Sequence, residues 1–165
     1  MSKWSNYELV TVFADASLSG DRVGCGWWFK SSSATGFGSD TLVQPNLNSN
    51  EAELWGLYVA IKAAVQAHNT PVDLVVQCDN IGALQALHTA GHRWAKTSTL
   101  KAGHRKKMSD FERSILKKVR ELSYIKKVWL KHIKGHTGRS DPRSHINHRT
   151  DRLAAAARNQ ITSTL

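Results

Sequence analysis

Cysteine is scarce in this chain of 165 residues. Cys25 and Cys78 are the only two, too few and too irregularly placed for a disulfide framework or a zinc site. Both read as reduced thiols in a cytosol-like compartment. No apolar run approaches the roughly 20 residues that a membrane span needs, and Met1 to Asn6 has no apolar core of the kind a secretory leader carries. Internal repeats, linkers and low-complexity tracts are also missing. Acid is the last shortage: 13 Asp and Glu stand against 23 Lys and Arg, for a net charge of +10. That imbalance points to a polyanionic partner, nucleic acid first and an acidic membrane surface second. The length and a hydrophobic fraction of 41% fit one globular domain over 1–165 with a proper core.

What is present reads as a layered α/β chain. Glu8 to Asp15 is an apolar, β-branched run ending in an acid, with a turn expected from Ala16 to Asp21. Gly24 to Lys30 is a short aromatic strand, the Ser/Gly-rich stretch 31–39 a turn, and Thr41 to Val43 part of a third strand stopped by Pro45. Three strands with short turns suggest an antiparallel meander. Apolar residues then recur at helical spacing from Asn50 to about His68, with Ser49 as the expected N-cap. Val72 to Asp79 is a strand that again ends in an acid, and Asn80 to Ala90 a short helix. A segment over 91–107 carries Arg93, Trp94, Lys96, Lys101, Arg105, Lys106 and Lys107 without a single acid. Asp110 is the expected cap of the next helix, whose outer face carries Arg113, Lys117, Lys118 and Arg120. Lys126 to Ile133 is the fifth strand, and an Ala-rich helix follows Asp151. The pattern is a five-stranded mixed sheet in the order β-β-β-α-β-α-(basic insert)-α-β-α, with helices on both faces and the insert as a basic protrusion.

The acids carry the chemistry. Taken singly, Asp15 is a turn former, Asp79 an N-cap and Glu53 a solvated helix acid. Taken together, strand ends that run parallel would bring Asp15 and Asp79 to one sheet edge, where α/β folds place their sites. A basic chain has little reason to spend its few acids on buried strand ends. Carboxylates gathered there would raise one another's pKa values unless cations neutralise them. Hard divalent ions with oxygen ligands, chiefly magnesium, suit such a set. Two of them can activate a water and stabilise the leaving oxygen of a phosphodiester.

Four stretches together resemble ribonuclease H of type 1, of the bacterial kind and also found in phages and mobile elements. They are Thr11-Val12-Phe13-Ala14-Asp15-Ala16-Ser17, Ser49-Asn50-Glu51-Ala52-Glu53-Leu54, Gln77-Cys78-Asp79-Asn80, and His132-Ile133-Lys134-Gly135-His136 with Asn147 and Asp151. The resemblance spans nearly the whole chain. It implies an endonuclease that hydrolyses the RNA strand of RNA/DNA hybrids with two magnesium ions per site, manganese being the alternative ion, and leaves 3′-hydroxyl and 5′-phosphate ends. Asp15, Glu53, Asp79 and Asp151 would hold the metals, and His136 would assist proton transfer or product departure. Substrate contacts would come from Ser17, Ser49, Asn50, Asn80 and Asn147, and from Arg93, Trp94, Lys96, Lys101, Arg105, Lys106 and Lys107 in the basic insert. No protein partner is implied, and a cytoplasmic monomer is expected. Ala16 stands where many members have Gly. The loop from His136 to Asp151 is several residues longer than in familiar bacterial enzymes, so His145 or His148 could take the role of His136. That loop has no cysteine and no regular spacing, and does not read as a zinc site. Two other functions fit the same elements: a junction-resolving DNA nuclease, and a hybrid-binding module without catalysis. The first would lack the Lys-Gly-His turn and the Arg-Trp insert. The second would be expected to have lost an acid.

Overall fold

A computed structural model of the chain describes residues 7–90, 95–96, 108–122 and 124–133. Their elements run β1 (Glu8–Ser19), β2 (Arg22–Lys30), β3 (Thr35–Val43), α1 (Ser49–Gln66), β4 (Val72–Cys78), α2 (Ile81–Ala90), β5 (Ala95–Lys96), α3 (Asp110–Glu121) and β6 (Ile125–His132). The sheet order is β3-β2-β1-β4-β6-β5. The first three strands form the expected antiparallel meander, and β4 lies parallel to both β1 and β6.

The five expected strands make up the sheet, and a two-residue sixth extends its edge. Ala95 and Lys96 pair with Val128 and Trp129, so part of the basic insert is strand rather than loop. The Ser/Gly-rich stretch is also mostly strand, because β3 starts at Thr35. Its glycines serve packing. The ring of Phe29 lies over Gly36 and that of Trp27 over Gly38, and the two rings stack 6.0 Å apart. The remaining turn, 31–34, is fastened by Glu8. Its carboxylate accepts from Ser32 Oγ, Ser33 N and Ser33 Oγ at 2.7, 2.7 and 2.8 Å. Hydrogen bonds from those two serines hold the Glu8 carboxyl down at about 2.

α1 packs on β1 and β2 and also touches α2 and α3, which touch each other. All three described helices therefore share one face of the sheet, and α1 is sandwiched between the sheet and its two neighbours. That position explains why its apolar surface is broader than a stripe, with every residue from Glu51 to Leu57 buried. Val10, Val12, Leu54, Leu57, Ile61, Leu74, Val76, Leu84, Leu87, Ile115 and Leu130 form the core. The Ala-rich helix expected after Asp151 lies outside the described residues. Among those described, no helix is long and apolar enough to cross a membrane.

Two caps fall one residue earlier than expected. Asn48, not Ser49, caps α1: its Oδ1 accepts from Glu51 N at 2.8 Å while Glu51 Oε1 accepts from Asn48 N at 2.9 Å. Ser109, not Asp110, caps α3 in the same reciprocal way with Glu112. The acid three residues on decides each case, since it closes the second hydrogen bond of a capping box. Ser49 has Ala52 at that distance, and Asp110 has Arg113.

Candidate active site

Three acids far apart in sequence meet on the helix-bearing side of the sheet's C-terminal edge. Asp15 is not at the end of β1, as the apolar run suggested, because the strand continues to Ser19 in its hairpin with β2. The parallel pairing with β4 does stop at Phe13 and Gln77. Asp15 therefore stands just past the point where β1 leaves β4, and Asp79 directly follows β4. Glu53 approaches from above on α1. Gly56, one turn further along, lets the helix come close: a Cβ there would sit 3.3 Å from Cys25 Cβ and 3.4 Å from Ala16 Cβ.

The carboxyl groups of Glu53 and Asp15 are hydrogen-bonded, and the Ala16 N–H also bonds Glu53. Ala16 N also reaches Asp15 Oδ1 at 3.0 Å. Asp15 is 4% and Glu53 8% exposed. Burial, and after it the charge of Asp79, push the Glu53 carboxyl up to about 8. The hydrogen bonds from Asp15, Ala16 and Cys78 offset part of that rise. Such a cluster is short of positive charge.

Its donor set fits a hard divalent cation. Carboxylate oxygens of Glu53 and Asp79 and the sulfur of Cys78 lie within 4.8 Å of one another. The carboxylates are the ligands a magnesium-like ion prefers, and its charge would offset the burial and the Asp79 charge that together raise the Glu53 carboxyl. Cys78 is not among the site residues expected from the sequence. Its fully buried sulfur donates to Glu53 Oε2 at 3.8 Å and accepts from Asn80 N at 3.3 Å. Burial raises this thiol well above its ordinary value, with the Glu53 charge as the next cause. Position 78 precedes an acid at a strand end, which was the available signal.

The turn that carries Asp79 is held from two sides. Asn80 Oδ1 accepts from Ala83 N at 2.9 Å, so Asn80 rather than Asp79 caps α2. Just past the end of β6, Ile133 N donates to the Cys78 carbonyl at 3.0 Å, and His132 Nε2 lies 3.0 Å from the Asp79 carbonyl. His132, quoted above only as part of a motif, thus braces the backbone of a site residue. Ser17 follows Asp15 by two residues on the same face of β1, and Ser49 and Asn50 are exposed in the first turn of α1. Lys96 is in register with Trp129 at the far sheet edge. His136, Asn147, Asp151, Arg93, Trp94, Lys101, Arg105, Lys106 and Lys107 lie outside the described residues.

The RNase H family profile matches residues 7–159. The chain belongs to the RNase H family. As a member it is a ribonuclease H, a hydrolase. No curated protein sequence matches it. Among solved structures it is similar to RNase H1 from the halophilic archaeon Halobacterium salinarum, with 19% identity, a TM-score of 0.63 and coverage of 92% of this chain and 98% of the other. The N-terminal RNase H domain of a Mycobacterium tuberculosis protein, solved as a fusion with maltose-binding protein, is 16% identical with a TM-score of 0.64, covering 95% and 98%. LC11-RNase H1, solved in complex with an RNA/DNA hybrid, is 14% identical with a TM-score of 0.65, covering 93% and 99%. At such identities these neighbours speak for the RNase H fold.

Proposed function

We propose that this ribonuclease H cuts the RNA strand of RNA/DNA hybrids internally, with two divalent ions, chiefly magnesium, and leaves 3′-hydroxyl and 5′-phosphate ends. The observation that carries the reading is the meeting of the buried Glu53 carboxyl with Asp15 and Asp79, where burial and the Asp79 charge call for a cation. A neighbour of the same fold was solved with a hybrid bound, which favours that substrate. The net charge of +10 suits a polyanion.

In this reading Asp15, Glu53, Asp79 and Asp151 would hold the ions. Bound ions supply a water activated at neutral pH and charge neutralisation at the leaving oxygen. The water oxygen bonds to phosphorus as the bond to the 3′-oxygen breaks, and that oxygen takes up a proton. His136 assists this transfer or the departure of product, with His145 and His148 as alternatives. Ser17, Ser49, Asn50, Asn80 and Asn147 contact the hybrid, where a nearby 2′-hydroxyl separates RNA from DNA. The cations of the 91–107 insert, with Trp94 among them, neutralise phosphates. The chain acts as one domain over 1–165, a cytoplasmic monomer with reduced cysteines.

The test is a cleavage panel in magnesium with a chelator control. The substrates are RNA/DNA hybrid, double-stranded RNA, single-stranded RNA, duplex DNA and a four-way DNA junction. Cutting confined to the RNA of the hybrid, lost in Asp15→Asn and Asp79→Asn while hybrid binding persists, is the expected result. Cutting of the junction alone would move the chain to the resolving nucleases. Tight hybrid binding with no cutting would make it a binding module.

A further inference from the structure

Gly82 stands in the first turn of α2, three residues after Asp79. A Cβ on it would lie 2.8 Å from both Cγ and Oδ1 of Asn50 and 2.9 Å from its Nδ2. These are the three heavy atoms of the amide group at nearly one distance. The missing Cβ would therefore sit above the amide plane, and Asn50 lies flat against the glycine. No ordinary side chain fits that space.

Glycine is a poor helix former, so local propensity does not favour it at this position. The Gly20 turn between β1 and β2 needs its glycine for a positive φ, whereas Gly82 has no such backbone requirement. What distinguishes Gly82 is the amide on top of it. Asn50 is exposed on α1, one helical turn before Glu53 and on the same side. Its amide thus occupies the junction between the helix that carries Glu53 and the turn that carries Asp79. An amide both donates and accepts hydrogen bonds, which suits it to the hydroxyls and base edges of a nucleic-acid strand.

We infer that Gly82 is a positioning residue: the space left by its absent side chain fixes the Asn50 amide beside the carboxylates as a contact to the nucleic-acid strand. This rests on the hybrid-nuclease reading above. Asn50 is the end of a flexible side chain, so a methyl group at 82 would push the amide aside without unseating either helix.

Steady-state cleavage of RNA/DNA hybrid in magnesium tests it with four proteins: wild type, Gly82→Ala, Asn50→Ala and the double variant. Gly82→Ala is expected to raise KM about 3- to 10-fold, the weight of one neutral hydrogen bond, with kcat within about twofold. Asn50→Ala should do the same, and the double variant should be no worse than Asn50→Ala. Melting temperatures give the second readout. With the amide gone the added methyl has room, so Gly82→Ala should raise the Tm of Asn50→Ala. An unchanged KM in Gly82→Ala would overturn the inference, as would multiplying effects in the double variant. If Gly82→Ala alone fails to fold, comparing Asn50→Ala with the double variant decides: equal KM and a higher Tm support the inference, and a further rise in KM overturns it. Failure of the wild type to cut hybrid would instead overturn the functional reading.

Discussion

Ser109 Oγ donates to Glu51 Oε2 at 2.7 Å, fastening the first turn of α3 to the first turn of α1 across 58 positions of sequence. Each residue belongs to a capping box, so the bond joins two self-contained caps into one network. The same hydroxyl accepts from Glu112 N, and the other Glu51 oxygen accepts from Asn48 N. Glu51 and Glu112 are both buried there.

Ser109→Ala should therefore cost more than an ordinary cap. Losing a cap costs about 1 kcal/mol, and leaving a buried carboxylate oxygen without its donor adds roughly 1 to 3 kcal/mol. For a domain of this size that total lowers Tm by on the order of 5–10 °C. Ser109→Thr, which keeps the hydroxyl, should recover most of the loss. Thermal unfolding of the three proteins measures it, and a drop no greater than for a surface serine would show that the Glu51 bond carries no weight.

The Glu53 carboxyl sets a pH dependence that metal should erase. Its proton leaves near pH 8 in the folded state but near 4.5 when the chain unfolds. Between those values the native protein binds more protons, so stability falls as pH rises through the window. One proton gives a slope of at most about 1.4 kcal/mol per pH unit. In chelator, Tm should be lower at pH 8 than at pH 5.5 by more in the wild type than in Glu53→Gln. Magnesium should restore the wild type most strongly at pH 8, by binding the folded form. Equal slopes for the two proteins in chelator would contradict the shift.

Gly38→Ala should destabilise the meander. The new Cβ would lie 2.5 Å from Trp27 Cζ2, and the indole, stacked on Phe29, cannot move without unstacking. Overpacking of this kind costs about 1–3 kcal/mol. The same change in a Trp27→Leu background should cost less, a non-additivity that urea unfolding would resolve. Equal costs in both backgrounds would mean the indole is not the obstacle.

Much of this was readable in one dimension. Alternating and helical periods marked five strands and three described helices, and the order of the acids with Lys134-Gly135-His136 pointed to the family. Even the corrected caps were legible, because Asn48 and Ser109 have Glu three residues on where Ser49 and Asp110 do not. The end of β1 was not. Ala16 to Ser19 looks like a turn by composition, and only pairing with Cys25 through Arg22 makes it strand.

Local sequence thus marked the periods, caps and acids from which the candidate site was read, since these depend on neighbours within a few positions. Where those residues meet was decided in three dimensions. The parallel register that ends at Phe13 and Gln77 sets Asp15 next to the strand end that carries Asp79, and Gly56 lets α1 bring Glu53 down to them. Cys78 under Glu53, and Gly82 under Asn50, are contacts between elements that have no common period, so neither partner could be read from local pattern.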